Sequence, residues 1–125
     1  MSGIGWEKGR TAARSARLLI DIGDADGAVS RAYFSMFHVA RAALVQVNSE
    51  LGKTKRHSTV IRRFGRYLVK ERGLDRQFGR ALNLAFDLRT IADYEPVVFD
   101  ERDARAIVDS AERFLVGVDR FMQRA

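Results

Sequence analysis

The sequence predicts an all-α fold, an up-and-down bundle of about five helices. Three observations predict it: apolar residues recur at helical spacing along most of the chain, no segment alternates like a strand, and there is one proline. The predicted connections are short, as they are in helical bundles. With 125 residues, 46% of them hydrophobic, the chain is expected to form a single domain, residues 1–125, around one core.

The first two predicted helices are separated by a short turn. Helix one is expected over about residues 6–22 and ends at Gly23, a typical left-handed stop. Either Asp24 or Asp26 can cap the start of helix two. The apolar stripe of helix two consists of Ala28, Ala32, Phe37, Ala40, Leu44 and Val47.

A polar, glycine-containing loop, "NSELGKTKRH", precedes the third predicted helix. Ser58 is expected to cap this helix, which covers about residues 59–72 and stops at Gly73. One face of the helix is apolar and the other is basic. The apolar face carries Ile61, Phe64 and Leu68, and the basic face carries Arg62, Arg66 and Lys70.

Helices four and five complete the predicted bundle. Helix four is expected from about Asp75 to Asp93, and Pro96 prevents its continuation. Its predicted core residues are Phe78, Leu82, Ala85 and Leu88. Asp100 is expected to cap the last helix, which has the strongest apolar periodicity in the chain. That seam consists of Ile107, Val108, Ala111, Phe114, Leu115, Val118, Phe121 and Met122.

Positive charge is concentrated in one segment. The net charge is +6, yet residues 52–80 contain ten Lys or Arg residues against Glu71 and Asp75, a local charge of +8. Such a patch attracts polyanions, so RNA, DNA or an acidic protein surface are candidate partners. A solvated helix face that binds nothing is the alternative interpretation.

Several classes of protein are disfavoured by composition. The absence of cysteine excludes disulfides and thiolate metal sites, and with two histidines and no paired carboxylate spacing we expect no metal site. No glycine-rich loop joins a strand to a helix, so no nucleotide cofactor is expected. Because no stretch of 18 uncharged apolar residues occurs, we expect a soluble cytoplasmic protein without membrane contact.

The segment "SRAYFSMFHVAR" holds the first candidate site. Arg31, Ser35 and His38 follow one another at steps of four and three, which places them on one helical stripe. At 1.5 Å per residue, Arg31 and His38 are about 10 Å apart along the axis. The stripe borders a groove or is simply exposed to water.

A second candidate site lies at the end of helix four, in "FDLRTIADYEP". Arg89 and Asp93 are four residues apart, and Tyr94 follows. An ordinary intrahelical ion pair explains this spacing equally well.

Three motifs in order resemble the HEPN superfamily of small helical domains, over about residues 10–120. They are the "SRAYFSMFH" run on helix two, the Lys-x-His of "KRH" before helix three, and the Arg-x-x-x-Asp-Tyr of "RTIADY" on helix four. The resemblance implies a bundle of about five helices, usually a homodimer, that acts on or around RNA. Many members are metal-independent endoribonucleases, often toxins paired with a small nucleotidyltransferase antitoxin.

The usual catalytic motif of that family is an Arg, a polar residue and a His in an Arg-x4-6-His spacing near the end of helix four. Arg89 and Thr90 match its first two positions, whereas Tyr94, Glu95 and Pro96 occupy the positions open to the His. The Arg31 to His38 spacing fits the pattern formally, but on helix two.

The resemblance and the chemistry together assign candidate roles. His38 is the candidate acid or base, because its ordinary pKa near 6.5 suits either proton transfer. Arg31 and Arg89 are candidate phosphate clamps, with Asp93 orienting Arg89. Tyr33 or Tyr94 is expected to position or stack on a base. The candidate RNA-binding residues are Lys53, Lys55, Arg56, His57, Arg62, Arg66 and Lys70.

Three function classes therefore stay open. The first is a metal-independent ribonuclease, a toxin or defence effector; the second is a non-catalytic module that binds RNA or a nucleotidyltransferase through the basic third helix. The third is a purely structural dimerisation bundle. A helix-turn-helix reader of DNA is disfavoured, because helix four is dominated by core residues and its Arg89 lies at the C-terminal end.

Overall fold

The computed structural model describes residues 1–96 and 98–124, and this part of the chain contains helices and no strand. The five helices are α1 (Ile4–Asp21), α2 (Ala25–Val47), α3 (His57–Arg63), α4 (Arg76–Tyr94) and α5 (Glu101–Arg124). A 3-10 turn, Ser49–Gly52, precedes α3, and a π-helical segment, Phe64–Lys70, continues it. The predicted all-α bundle of about five helices is confirmed.

Local sequence signals explain most of the helix boundaries. Gly23 follows α1 with a φ of 83°, the left-handed conformation predicted for it. Of the two predicted caps for α2, Asp24 is the one observed: its carboxylate accepts a hydrogen bond of 2.9 Å from the Gly27 amide. The predicted cap of α5 is confirmed as well, since Asp100 accepts a 2.8 Å hydrogen bond from the Asp103 amide.

The start of α3 was predicted wrongly. Ser58 does not cap the helix, because α3 already begins at His57 and its N-cap residue, Arg56, makes no side-chain cap. Tertiary contacts fix this boundary instead. Arg41 Nε donates to the Gly52 carbonyl over 2.8 Å, and Arg63 donates to the Leu51 carbonyl over 2.9 Å. Arg41 of α2 and Arg63 of α3 thus fix the turn Ser49–Gly52, and His57 packs against α2.

Helix α2 occupies the centre of the bundle, in contact with α1, α3, α4 and α5. The fold buries Tyr33, Met36 and Leu44 of α2 completely, and Phe37 almost completely. Its packing on α1 is close: a Cβ at Gly9 would lie 2.6 Å from Val39 Cγ2, so only glycine allows this approach. The buried residues of all five helices form one continuous apolar core.

The faces predicted for the outer helices agree with the burial. On α3 and its extension Ile61, Phe64 and Leu68 are buried, whereas Arg62, Arg66 and Lys70 are exposed. Across the described residues, 1–96 and 98–124, no helix combines the length and the apolar character needed to cross a bilayer.

Candidate active site

Arg89 lies near the end of α4 and covers two aromatic rings of α2. Its guanidinium carbon is 5.0 Å from the ring centre of Phe34 and 5.7 Å from that of Tyr33. Cation–π contacts of this kind contribute about 0.5–2 kcal/mol each. The Arg89 side chain is 20% exposed. The helix packing therefore holds the guanidinium against α2 while part of it still meets solvent.

Asp93 pairs with Arg89, as the four-residue spacing predicts. Arg89 Nε lies 2.8 Å from Asp93 Oδ2, and Ser30 Oγ donates to Asp93 Oδ1 over 2.9 Å. The contact is ionic rather than a well-aligned hydrogen bond, because the buried Nε has no partner of hydrogen-bond geometry in residues 1–96 and 98–124. A carboxylate in the last turn of a helix opposes the macrodipole by about 0.3–1 kcal/mol. Its contacts with Arg89 and Ser30 offset that cost.

His57, at the start of α3, contacts the same group of residues. This group, called the cluster below, consists of Arg89, Asp93, Ser30, Tyr33, Phe34 and His57. His57 Nδ1 lies 2.6 Å from the Tyr33 hydroxyl oxygen, and the His57 ring stacks on Phe37 with 4.2 Å between ring centres. Tyr33 is completely buried, and His57 is the one hydrogen-bond partner of its hydroxyl within the described residues. We assign the Nε2–H tautomer to the neutral His57, because Nδ1 then accepts the proton of the buried Tyr33 hydroxyl, which has no other acceptor among the described residues.

The cluster favours neutral forms of both groups at neutral pH. Burial, and next the positive charge of Arg89, lower the pKa of His57. Burial raises the pKa of Tyr33 well above its usual range, with Arg89 opposing the shift, so the hydroxyl keeps its proton. The ion pair of Arg89 and Asp93 is then the charged part of the cluster.

Arg31 and His38 border one pocket between α1 and α2, as their spacing predicts. This pocket has a volume of about 420 Å³, and Lys8 and Thr11 of α1 line its other side. Ser35 does not reach it, which contradicts the predicted three-residue stripe. Ser35 is completely buried, and its hydroxyl donates to the Ala32 carbonyl over 2.6 Å. The reason is that α1 covers this part of α2 at Gly9, next to the Ser35 carbonyl.

Both histidines lie near Phe34. Its ring centre is 6.4 Å from that of His38 and 5.9 Å from that of His57. Burial, followed by the charges of Lys8, Arg31 and Arg41, lowers the pKa of His38. The lowered pKa favours the neutral imidazole of His38 at pH 7.

The two candidate tyrosines have different surroundings. Tyr33 is completely buried, so its ring is not open to a base, and its hydroxyl contacts His57 instead. Tyr94 is 75% exposed at the end of α4. Its ring is free to stack on a base, but it does not contact the cluster around Arg89 in the described part of the chain.

The other candidate RNA-binding residues lie outside the cluster, on the turn before α3 and on the outer face of α3 and its extension. Lys53 pairs with Glu50 over 2.9 Å, and Arg66 pairs with Glu71 over 3.3 Å. Both pairs are largely solvent-exposed and contribute little to stability. The exposed cations of this basic face are Lys53, Lys55, Arg56, Arg62, Arg66 and Lys70.

Sequence reasoning missed the contact of His57 with Tyr33 and of Ser30 with Asp93. In each case the partners are far apart in sequence, by 24 and 63 residues. One local signal was available for His57, namely an isolated polar aromatic side chain beside a helix rich in Phe and Tyr. For Ser30 no signal in the sequence distinguishes it from an ordinary exposed serine.

The residues that the structure describes contain no group of three His, Cys, Asp or Glu side chains able to hold a metal ion. What the cluster offers instead is a guanidinium, two imidazoles and aromatic surface.

Comparison with known proteins identifies the family. A family model described as the HEPN domain matches residues 5–120, nearly the whole chain. The protein belongs to the HEPN domain family. The superfamily resemblance of its motifs is thereby confirmed, and the all-α bundle of the HEPN chain agrees with it.

Three curated relatives show how this HEPN chain compares. A Methanocaldococcus jannaschii protein named "Putative toxin" is 38% identical over 88 residues, which cover 70% of this chain and 63% of that protein. A UPF0332 protein of Gloeobacter violaceus is 34% identical, covering 82% of this chain and 80% of its own. A UPF0332 protein of Thermotoga maritima is 29% identical, covering 86% and 80%. The chain thus spans less than two thirds of the first relative.

Proposed function

We propose that this HEPN protein is a metal-independent endoribonuclease that acts as a toxin or defence effector. The observation that carries the proposal is the cluster itself. Arg89 and His57 flank the same α2 rings, Tyr33 and Phe34, although no histidine follows Arg89 in the sequence. An imidazole from α3 thus takes the place, near the arginine, that the family motif gives to a residue of helix four.

The proposed reaction is an internal transesterification of RNA. The 2′-hydroxyl loses its proton to a base and its oxygen attacks the adjacent phosphorus. The bond from phosphorus to the 5′-oxygen breaks, and an acid gives that oxygen a proton. The products are a 2′,3′-cyclic phosphate and a free 5′-hydroxyl, and no metal or oxidant is consumed.

Arg89 suits the stabilisation of the phosphorane. Its guanidinium is partly exposed, permanently charged and held in place by Phe34 and Asp93. Preorganised charge of this kind is worth the most at a site sheltered from water. Arg31 is the second proposed clamp, on the far side of His38.

The two histidines divide the proton transfers. His38 is the proposed base, because its lowered pKa keeps the imidazole neutral. His57 is the proposed acid, and Nε2 is the nitrogen free to face the leaving oxygen. When His57 is protonated, Nδ1 donates to the Tyr33 oxygen, so Tyr33 orients the ring in both protonation states.

The toxin assignment draws on the names of relatives. Two Methanocaldococcus jannaschii proteins that are 38% and 30% identical to this chain are named as putative toxins. A ribonuclease toxin would act on RNA in the cytoplasm. Its activity would have to be inhibited in the producing cell, and a nucleotidyltransferase antitoxin is the proposed partner for this.

A homodimer is also part of the proposal. Leu84 and Ile91, seven residues apart on one face of α4, are 53% and 36% exposed, an apolar surface that a second copy could cover. Arg89 lies on another face of α4, against α2, so this association would leave the cluster open to RNA.

A non-catalytic module is the second candidate function. The observation in its favour is the basic face of α3, where Arg62 and Lys70 are exposed and have no ion-pair partner among the described residues. This face would bind RNA or an acidic partner in a salt-sensitive way. Arg62→Ala and Lys70→Ala would then weaken binding, and no cleavage would occur.

Cleavage of a mixed RNA substrate in excess EDTA, followed by analysis of the new ends, tests the proposed function. Wild type should produce 2′,3′-cyclic phosphate ends, and His57→Gln, purified identically, should not. If wild type binds the RNA without cutting it, the catalytic proposal fails and the binding module replaces it.

A further inference from the structure

A second concave surface lies next to the cluster and shares with the proposed reaction one residue, His38. It is the α1–α2 groove, formed by Ile4, Trp6 and Lys8 of α1 and by His38, Arg41 and Val45 of α2. Its volume of about 540 Å³ falls in the range of about 300–1,000 Å³ that is typical of small-ligand sites.

The base of the α1–α2 groove is rigid because the two helices meet there with almost no side chain between them. A Cβ at Gly5 would lie 2.9 Å from Ala42 Cβ, and a Cβ at Gly9 would lie 2.6 Å from Val39 Cγ2. This close packing fixes the distance between the two walls. A ligand would therefore find a preformed site and would not have to open one.

Part of the groove lining is apolar and open. Ile4 of α1 is 76% exposed and Val45 of α2 is 45% exposed, and the almost completely buried Trp6 lines the same groove. Single exposed apolar residues are common on proteins. Two exposed aliphatic side chains and a tryptophan in one groove of ligand size are suited to a flat apolar group.

The other side of the groove is basic. Lys8 and Arg41 line the groove, and no acidic residue does so among the described residues. Lys8 forms no ion pair within the described part of the chain, and Arg41 uses its Nε to donate to the Gly52 carbonyl over 2.8 Å. His38 lines both this groove and the neighbouring pocket that contains Arg31 and Glu7. The surplus of positive charge calls for an anionic ligand.

We infer that the α1–α2 groove is a binding subsite for one nucleotide of single-stranded RNA. The base lies between Ile4 and Val45, and the phosphate lies against Lys8 and Arg41. This inference rests on the proposed function for the choice of RNA. His38 of the groove and Arg89 of the cluster both lie near Phe34: the ring centres of His38 and Phe34 are 6.4 Å apart, and the Arg89 guanidinium carbon is 5.0 Å from the Phe34 ring centre. One RNA strand could therefore place a nucleotide in the groove and another phosphate at Arg89.

The test uses Trp6, the one tryptophan of the chain, as a fluorescent reporter. The probe is a 2′-O-methyl RNA tetranucleotide, which lacks the attacking hydroxyl and cannot be cut. Its addition should change the Trp6 emission in a saturable and salt-sensitive way. An acidic peptide of equal charge should leave the emission unchanged, and a response to the peptide alone would overturn the inference.

Two variants locate the binding. Val45→Glu places a negative charge on the apolar wall and should weaken binding at least about tenfold, consistent with the loss of one base contact. Leu18→Glu is the matched control, since Leu18 is 65% exposed on α1 and does not line the groove, and it should bind like wild type. Lys8→Ala should reduce the slope of log affinity against log salt by about one. Equal affinities for wild type and Val45→Glu would refute the subsite.

Arg89→Ala separates this inference from the proposed function. If the groove is a subsite, this variant should still change its Trp6 emission with the probe even when it does not cut RNA. If wild type binds the probe, Val45→Glu weakens that binding, and no RNA is cleaved, the subsite is supported and the ribonuclease proposal fails. A protein that cleaves RNA with the same KM in wild type and Val45→Glu would keep the ribonuclease and reject the subsite.

Discussion

Arg17 and Arg89 both pair with acidic side chains, but they are held in opposite ways. Arg17 on α1 reaches two carboxylates of α5: Nη2 donates to Asp109 over 2.6 Å, and Nε donates to Glu112 over 3.2 Å. The hydrogen bonds that Arg17 donates to Glu112 and then to Asp109 raise the pKa of its guanidinium. Its donors are directed at protein oxygens, and the result is a link between two helices.

Arg89 is held by aromatic faces and one carboxylate of its own helix. Its Nε has no well-aligned acceptor in the described residues, and its guanidinium carbon lies over Phe34 and Tyr33. Aromatic rings fix the position of a guanidinium but do not saturate its N–H groups. We therefore expect an arginine positioned by rings to keep its outer N–H groups available to an anion, whereas the N–H groups of an arginine positioned by two carboxylates are already used.

The largest effect is expected from the removal of the Arg89 side chain. Arg89→Ala should lower the single-turnover rate of RNA cleavage about 10²–10³-fold, the usual loss for one preorganised stabiliser of the transition state. Arg17→Ala should keep the wild-type rate at a temperature where it is folded. Equal losses in the two variants would show that the comparison is mistaken.

The pH dependence of kcat/KM is the next test. The proposed base, His38, must be neutral, so activity should fall as pH drops below its lowered pKa. The proposed acid, His57, must be protonated, so activity should also fall as pH rises above its lowered pKa. Because both pKa values lie below the ordinary value of about 6.5, the bell-shaped profile should have its maximum below about pH 6.5. A maximum above pH 7 contradicts these roles.

Removal of the Tyr33 hydroxyl has a smaller effect. Tyr33→Phe should lower the free energy of unfolding by about 1 kcal/mol, the net value of one hydrogen bond. It should also release His57 from a single tautomer, visible as a change in the 15N chemical shifts of Nδ1 and Nε2. Tyr67→Phe, at a tyrosine that contacts Arg66 and not a histidine, is the control. Unchanged His57 shifts in Tyr33→Phe would remove the positioning role.

Arg17→Met measures how much the ion pairs of Arg17 contribute to the stability of the fold. The variant should lose about 1 kcal/mol of stability or less, since the pair with Asp109 and Glu112 is partly solvent-exposed. Arg105→Met is the control, because Arg105 pairs with Glu101 within one exposed helix, and its effect should be close to zero. Chemical denaturation of the three proteins provides the comparison. If Arg105→Met lowers the free energy of unfolding more than Arg17→Met does, Arg17 does not stabilise the protein by linking α1 to α5.

The sequence predicts the helices and their buried faces well because both depend on local spacing. The seam of α5 and the pairing of Arg89 with Asp93 follow directly from steps of three and four residues. The capping aspartates Asp24 and Asp100 have an equally local signal.

The cluster depends on contacts that spacing cannot reveal. His57 joins Tyr33 only because Arg41 and Arg63 anchor the intervening turn. Ser35 shares a stripe with Arg31, yet α1 covers it, since periodicity shows which residues share a face and not which neighbour lies on that face. The polar groups that meet at Arg89 come from α2, α3 and α4, and their meeting is a property of the packed bundle.

The most direct test of the account is a double-mutant cycle on RNA cleavage. Single-turnover rates in EDTA would be measured for wild type, Arg89→Ala, His57→Gln and the double variant. If the two residues act on one phosphate, the double variant should be hardly slower than the slower single variant, as for groups that work as a unit. Losses that multiply, or a His57→Gln rate equal to that of wild type, would contradict a shared site.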